Sequence, residues 1–285
     1  MEKKTVLGVG EFLWDITPSG KRAGGAPVNF AYHATCDDVE GWAVSAVGRD
    51  ELGRELLETA RENGIHLLVA EVDSPTGTVD VLLRDGQPEY HINENVAWDY
   101  IPQTDELLRK ARSASAITFG TLAQRAPVSR ATTQALLRAV PDSAWKVYDI
   151  NLRQNFWSRA LIEESLRLAN AFKINNDEMD LLRGLFGCAD MGYDETAAKF
   201  IKDYGLRMLV LTAGEHYSAI YTPDGKVSEI PTPKVKVEDA IGAGDAFTGT
   251  LISELLRGRD LVQAHGKAVE TAAYVCTKSG AWHKR

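Results

Sequence analysis

With 285 residues, 44% of them hydrophobic and 25% charged, the chain can bury one large core and lacks the bias of disordered or fibrous proteins. Its formal net charge of -8 gives no general attraction to phosphate backbones or anionic lipid, so neither nucleic acid nor membrane is expected as a partner. Cys36, Cys188 and Cys276 lack zinc or C-x-x-C spacing and are expected as reduced core thiols; with no signal-like or spanning apolar stretch, the expected address is cytoplasmic.

In chain order, the first apolar run suited to a strand buried on both faces is Thr5 to Val9. Glu11 to Gly25 follows as strand-like segments around a Pro18-Ser19-Gly20 turn, with no helix of its own. Trp42 to Val47 then leads into a helix with Leu52, Leu56, Leu57 and Ala60 on one face and Asn63-Gly64 as its stop. His66 to Val72 is again strand-like, and Thr76 to Asn95 repeats the helix-free pattern with a turn at Asp85-Gly86. Four further runs, Ala116 to Phe119, Lys146 to Ile150, Ala171 to Ile174 and Met208 to Leu211, complete the set, and helical segments ending at Gly187 and Gly205 lie among them. Strand and helix alternate, which predicts an α/β fold with a mostly parallel central sheet flanked by helices. The stretches 11–25 and 76–95 are expected to form a small antiparallel sheet, projecting as a lid from a single domain over 1–285.

The stretch richest in chemistry is Asp239-Ala240-Ile241-Gly242-Ala243-Gly244-Asp245, followed by an apolar helix. Gly242, Ala243 and Gly244 let an anion approach the backbone, and the free N–H groups and dipole of the first helical turn attract it. Asp245 within that turn sets a carboxylate beside a phosphate cradle, where it can take a proton from an acceptor hydroxyl. On its own the same stretch also reads as a glycine-rich turn with an acid at a helix start. No G-x-x-x-x-G-K-[ST] occurs, Gly8-Val9-Gly10 lacks the third glycine of a dinucleotide fingerprint, and the six histidines show no metal spacing.

DAIGAGDAF resembles the D-x-x-G-A-G-D signature of the PfkB (ribokinase) family of carbohydrate kinases. Gly24-Gly25-Ala26-Pro27-Val28-Asn29-Phe30-Ala31 resembles that family's G-G-x-x-x-N-x-A, and Val47-Gly48-Arg49-Asp50 with Gly53 its V-G-x-D-x-x-G. Lys173 to Glu178 resembles K-x-N-x-x-E, and Thr212-Ala213-Gly214 the nucleotide-side T-x-G. Within the family, Gly10-Glu11, Leu13-Trp14-Asp15, Pro75 to Val79, Ala97-Trp98-Asp99 and Asp149 to Arg153 are most similar to bacterial fructokinases.

The resemblance implies a ribokinase-like fold, with Asp245 as catalytic base and the backbone of Gly242, Ala243 and Gly244 as anion hole. It implies sugar contacts from Asp15, Gly24, Gly25 and Asn29, whose other readings are an exposed turn acid, a tight turn and a helix cap. Arg153, at the sheet edge, would meet sugar oxygens or phosphate; a surface salt bridge is its alternative. Asn175 and Glu178 would act on the ATP phosphates and Mg²⁺ through water. Thr212 and Gly214 would line the nucleotide groove. Asp239, with carbonyls near Ile241, Cys276 and Gly280, would hold a monovalent cation, expected to be K⁺; otherwise Asp239 is a turn acid.

The activity this implies is ATP-dependent phosphorylation of a sugar hydroxyl, D-fructose giving fructose 6-phosphate. Alternatives are 2-keto-3-deoxygluconate, ribose or a nucleoside as acceptor, or a catalytically silent sugar sensor on the same scaffold. Apolar lid residues Phe12, Trp14, Val79, Val81 and Leu83 would need cover, either from a second subunit in a homodimer or from the sugar.

Overall fold

The computed structural model describes residues 3–17, 20–84 and 87–284, with strand residues 81–84 and 87–90 described by their backbone alone. The expected turns at Pro18-Ser19 and Asp85-Gly86, and the side chains of Val81 and Leu83, therefore lie outside the described residues. The strands are β1 (Lys4–Val9), β2 (Leu13–Thr17), β3 (Gly20–Gly24), β4 (Val39–Gly48), β5 (His66–Val72), β6 (Gly77–Arg84), β7 (Gln87–Ile92), β8 (Ala116–Phe119), β9 (Trp145–Asp149), β10 (Ala171–Asn175), β11 (Met208–Thr212), β12 (Tyr217–Thr222) and β13 (Gly225–Pro231). The helices are α1 (Ala26–Ala34), α2 (Glu51–Glu62), α3 (Asp105–Arg112), α4 (Pro127–Ala139), α5 (Arg159–Leu168), α6 (Asn176–Leu185), α7 (Tyr193–Tyr204), α8 (Ala243–Leu256) and α9 (Leu261–Val275).

Nine strands form one sheet in the order β13-β12-β11-β10-β9-β8-β1-β4-β5. The seven from β11 to β5 run parallel, and β12 and β13 extend the β11 edge antiparallel. Side chains alternate between two helical layers, as a strand's period of two requires. Leu7, Tyr148, Phe172 and Leu209 pack with α3 to α7, while Val6, Val147, Ala171 and Met208 pack with α1, α8 and α9. The antiparallel pair β12–β13 was not among the expected strands: its residues are mixed in polarity, because β13 lies on the sheet edge with five of its seven residues exposed.

A separate sheet has the order β3-β2-β6-β7. It is mixed, not antiparallel as expected: β2–β3 and β6–β7 are hairpins, but β2 and β6 pair in parallel. The reason is topological. β2 and β6 leave the ends of β1 and β5, which are parallel members of one sheet, and so depart in the same direction. The expected open apolar face is also partly covered by the chain itself. Phe12 and Trp14 are buried against α1 and α2, and Val79 against Trp98 and Leu122. Of the cysteines, all free, only Cys188 is fully buried, with Cys36 and Cys276 half-buried.

Helix α1 lies unusually close to the main sheet, and glycines permit it. A Cβ on Gly8 of β1 would stand 2.0 Å from the Pro27 carbonyl oxygen, and one on Gly41 of β4 would stand 1.8 Å from that of Ala31. This approach carries Asn29 to the strand ends.

Behind the site, His265 of α9 is buried, bonded through Nε2 to Ser218 Oγ and through Nδ1 to Ser228 Oγ, each at 2.8 Å. Burial pulls its pKa down to about 4. The unfolded chain, with an ordinary imidazole near 6.5, binds this proton first, so the stability His265 contributes at neutral pH is lost as pH falls from about 6.5 toward 4. Glu11, Asp15 and Asp245, whose pKa values are raised, act in the opposite sense, so the effect is read as a difference. Relative to wild type, His265→Gln is expected to regain about 2.5 kcal/mol between pH 7.5 and 4.5. Urea unfolding of both proteins at the two pH values checks this, and a constant difference would refute it.

Candidate active site

The parallel strands β1, β8, β9 and β10 deliver their C-terminal ends to the start of α8, the edge at which open α/β sheets bind ligands. Asp245 is in the first turn of α8, capped by Gly242 in the left-handed region at φ 77°. A side chain at Gly242 would be strained by that φ and would also place its Cβ 2.4 Å from Ala281 Cβ. No side chain caps this helix, and among the described residues the N–H groups of Gly244 and Asp245 have no acceptor. Lys173 Nζ stands beside them, 3.4 Å from where a Cβ on Gly244 would lie. Free amides, a helix dipole and an ammonium together make a site for an anion.

Asn29 Nδ2 donates to Asp245 Oδ2 at 2.8 Å, so the structure brings these two expected site residues into contact. Asp245 is pushed up to about 6, first by burial and then by the charge of Asp149; the Asn29 hydrogen bond, Lys173 and Arg153 pull the other way. Lys173 donates to both Asp149 oxygens, at 3.0 and 2.8 Å. Burial pulls Lys173 down, but the Asp149 charge and hydrogen bond outweigh it, and the pKa is raised. Glu11, just after β1, is buried and pushed up to about 7, mainly by desolvation; its Oε2 has no partner among the described residues. Glu11, Asp149, Asn151 and Asp245 share with Pro27 and Thr118 a cavity of about 10 Å³, room for one water. A carboxyl poised near neutrality beside an anion cradle can take a proton from a hydroxyl as phosphate arrives.

Asp15, in β2 opposite Arg22, is pushed up to about 6 by burial, against the charge of Arg22. Its Oδ2 lies 3.3 Å from where a Cβ on Gly24 would be, and Gly25 begins α1 at φ 120° with no side-chain cap. Arg153 is exposed in the loop after β9, donates from Nη1 to the Leu152 carbonyl at 3.0 Å, and its charge favours the ionised forms of Glu11, Asp15 and Asp245.

Asp239 accepts from Ile241 N at 3.0 Å, Gly280 N at 3.1 Å and Arg22 Nη1 at 2.7 Å. It therefore ties the loop before α8 to the segment after α9 and to the small sheet. The Cys276 carbonyl, at the end of α9, accepts from Glu238 N at 2.8 Å. Asn175 and Glu178 form a capping box on α6: Glu178 N donates to Asn175 Oδ1 at 2.9 Å and Asn175 N to Glu178 Oε2 at 3.0 Å. Glu178 Oε1 also accepts from Leu152 N at 2.8 Å, which positions the loop carrying Arg153. Thr212 is opposite Asn175 at the ends of β11 and β10. Gly214 follows at φ 52°, its carbonyl accepting from Thr232 Oγ1 at 2.9 Å. Among the described residues, no hydrogen bond joins Thr212 or Gly214 to the Asp245 cluster.

Sequence reading assigned no role to Glu11, Asp149, Lys173 or Trp282, all of which border the cluster. Three carried a signal. Glu11 and Asp149 are acids at the C-terminal ends of buried strands, and Lys173 is a lone charge inside the apolar strand AFKIN, which demands a buried partner. Trp282 carried none.

The fold is that of the ribokinase-like kinases: a mostly parallel sheet between helical layers, with a small second sheet near the strand ends. The chain belongs to the pfkB family of carbohydrate kinases, whose family model matches residues 19–284. Fructokinase-1 of Zea mays is 28% identical over 308 residues, covering 98% of this chain and 94% of that protein. The fructokinase of Xylella fastidiosa, solved with bound ATP, superposes with a TM-score of 0.86 at 22% identity, over 98% of this chain and 94% of that one. Aminoimidazole riboside kinase of Salmonella enterica, solved with its riboside and an ATP analogue, does so at 0.79 and 22% identity, over 98% and 95%. The fold is thus shared by kinases of different acceptors.

Proposed function

We propose that this carbohydrate kinase transfers the γ-phosphoryl group of ATP to D-fructose, giving fructose 6-phosphate, in the cytoplasm. The observation that carries the reading is the half-buried Asp245 carboxylate, bonded to Asn29 and set within the first turn of α8 where two amides lack acceptors among the described residues. The fructokinase names among the relatives support the acceptor.

In this reading Asp15 and Asn29 accept and donate hydrogen bonds to sugar hydroxyls, and Gly24 and Gly25 let the ring approach the backbone. The small sheet acts as a lid, excluding water from the transfer. Asp245 takes the hydroxyl proton as the oxygen attacks phosphorus, and the amides after Gly242 with Lys173 hold the transferring phosphoryl oxygens. Arg153 orients the sugar or neutralises phosphate. Thr212 and Gly214 line the nucleotide groove, continuing from Asn175 on the adjacent strand. Each Glu178 oxygen accepts one backbone N–H and keeps a lone pair, which fits water-mediated contact with Mg²⁺; when bound, that ion supplies neutralisation of phosphate charge. Asp239 joins the segments bearing the Ile241, Cys276 and Gly280 carbonyls, an all-oxygen set that suits K⁺. A homodimer through the small sheet would use its open edges, β3 and β7, since Phe12, Trp14 and Val79 are already covered.

The exposed Arg153 is the specific ground for a second acceptor, a sugar acid such as 2-keto-3-deoxygluconate, whose carboxylate it would pair. An ADP-release assay over sugars, sugar acids and nucleosides, in wild type and Arg153→Ala, separates the two. Fructose is expected to give the highest kcat/KM, and Arg153→Ala to reduce it no more than about tenfold, the scale of a lost hydroxyl contact. A wild-type preference for the acid that collapses in the variant would reassign the enzyme, and no ADP release with any acceptor would leave a sensor.

A further inference from the structure

One side chain from the segment after α9 reaches the cluster. Trp282 is half-buried, stacks on Tyr32 of α1 with ring centroids 6.3 Å apart, and donates its indole N–H to Asn29 Oδ1 at 2.8 Å. Asn29 Nδ2 in turn donates to Asp245 Oδ2 at 2.8 Å. An indole N–H can only donate, so the oxygen of the Asn29 amide must face Trp282 and its NH₂ must face Asp245. The two ends of an amide are nearly alike in shape, and here the chemistry of the neighbours decides between them.

We propose that Trp282 is a positioning residue: by occupying Asn29 Oδ1 it keeps an N–H on the Asp245 carboxylate, holding that group ionised and aimed for proton transfer. The inference rests on the reading of Asp245 as the base.

The segment bearing Trp282 is fixed at three further points. Gly280 N donates to Asp239 Oδ2 at 3.1 Å, His33 Nε2 donates to the Ala281 carbonyl at 2.7 Å, and Ala281 occupies the space beside Gly242 that a Cβ there would need. The indole is therefore referenced to the anion-cradle loop and to α1 together. Without its N–H, the Asn29 amide is free to turn its oxygen toward Asp245. Two acceptors then face each other, the ionised carboxylate is disfavoured, and a higher pH is needed to ionise it. The other groups that act on Asp245 are Asp149 of β9, Arg153 of the following loop, Lys173 of β10 and Glu11 after β1, while α1 presents the neutral Asn29. Trp282→Phe alters none of them and keeps a ring against Tyr32.

With MgATP and the best acceptor, Trp282→Phe is expected to lower kcat about tenfold at pH 6 and little at pH 8.5. The acidic limb of its kcat profile should move up by a little over one pH unit, the shift that cuts the ionised fraction of a group near 6 about tenfold at pH 6. In an Asn29→Ala background the same substitution should move the limb no further. A folded Trp282→Phe protein with an unmoved limb overturns the proposal, as does an equal shift in the Asn29→Ala background. The ¹⁵N–¹H signal of the Trp282 indole gives a reading that does not depend on that variant's folding: it should move in Asn29→Ala and in Asp245→Asn, and indifference to both overturns the proposal. Asp245→Asn turnover separates the two levels. Wild-type turnover there removes the base itself, whereas an inactive Asp245→Asn with an unmoved Trp282→Phe limb removes only the positioning role.

Discussion

Asp245→Asn is expected to lower kcat by at least about a hundredfold while changing sugar affinity only a few fold. The amide preserves the volume of the half-buried side chain and can still meet Asn29, so the fold of the α8 turn should persist. What it cannot do is take a proton from the acceptor. Ground-state contacts to the sugar come from Asp15, Asn29 and the backbone near Gly25 in the proposed reading, and these remain. The wild-type profile should carry the matching signature. Asp245 is protonated below about 6, so kcat/KM should fall as the pH drops through that value. Steady-state kinetics from pH 5 to 8 on both proteins test the pair of statements, and near-normal turnover by Asp245→Asn would remove it from the mechanism.

Lys173→Met is expected to reduce stability by about 3–5 kcal/mol and to depress activity. The Lys173–Asp149 pair is largely buried, with side-chain exposures of 11% and 13%, and both Asp149 oxygens depend on the one ammonium. Removing the cation leaves a carboxylate desolvated and unpaired a short way from Asp245, whose ionised form it already opposes. The double change Lys173→Met with Asp149→Leu should recover most of the stability, because replacing both members of a buried pair with apolar groups is often neutral. It should not recover activity, since the positive charge beside Gly244 is still missing. Denaturant unfolding and turnover of the three proteins decide the matter: a single variant as stable as wild type would mean that the pair is not buried as the structure places it, and a fully active double variant would remove Lys173 from the anion site.

The sequence by itself determined the alternating strands and helices and the anion-cradle turn before α8. Apolar runs from Thr5 to Val9 through Met208 to Leu211 must be buried on both faces, and a parallel sheet between helices is how a chain does that. The glycines around Ala243 announced a close backbone approach because few other residues permit one. The mixed polarity of β12 and β13 hid an antiparallel edge, and the direction of β2 against β6 followed from where β1 and β5 end. Only the tertiary structure decided how the cluster is wired. Asp245 lies 216 residues from Asn29, and Trp282 lies 253 residues from it, yet each meets that one amide at 2.8 Å. Local patterns report the periodicity of a segment and the chemistry of its turns. They carry no record of which distant donor will face which acceptor, because that is settled by how closely α1 packs against β1, β4 and α8, and by the fold of the segment after α9 against it.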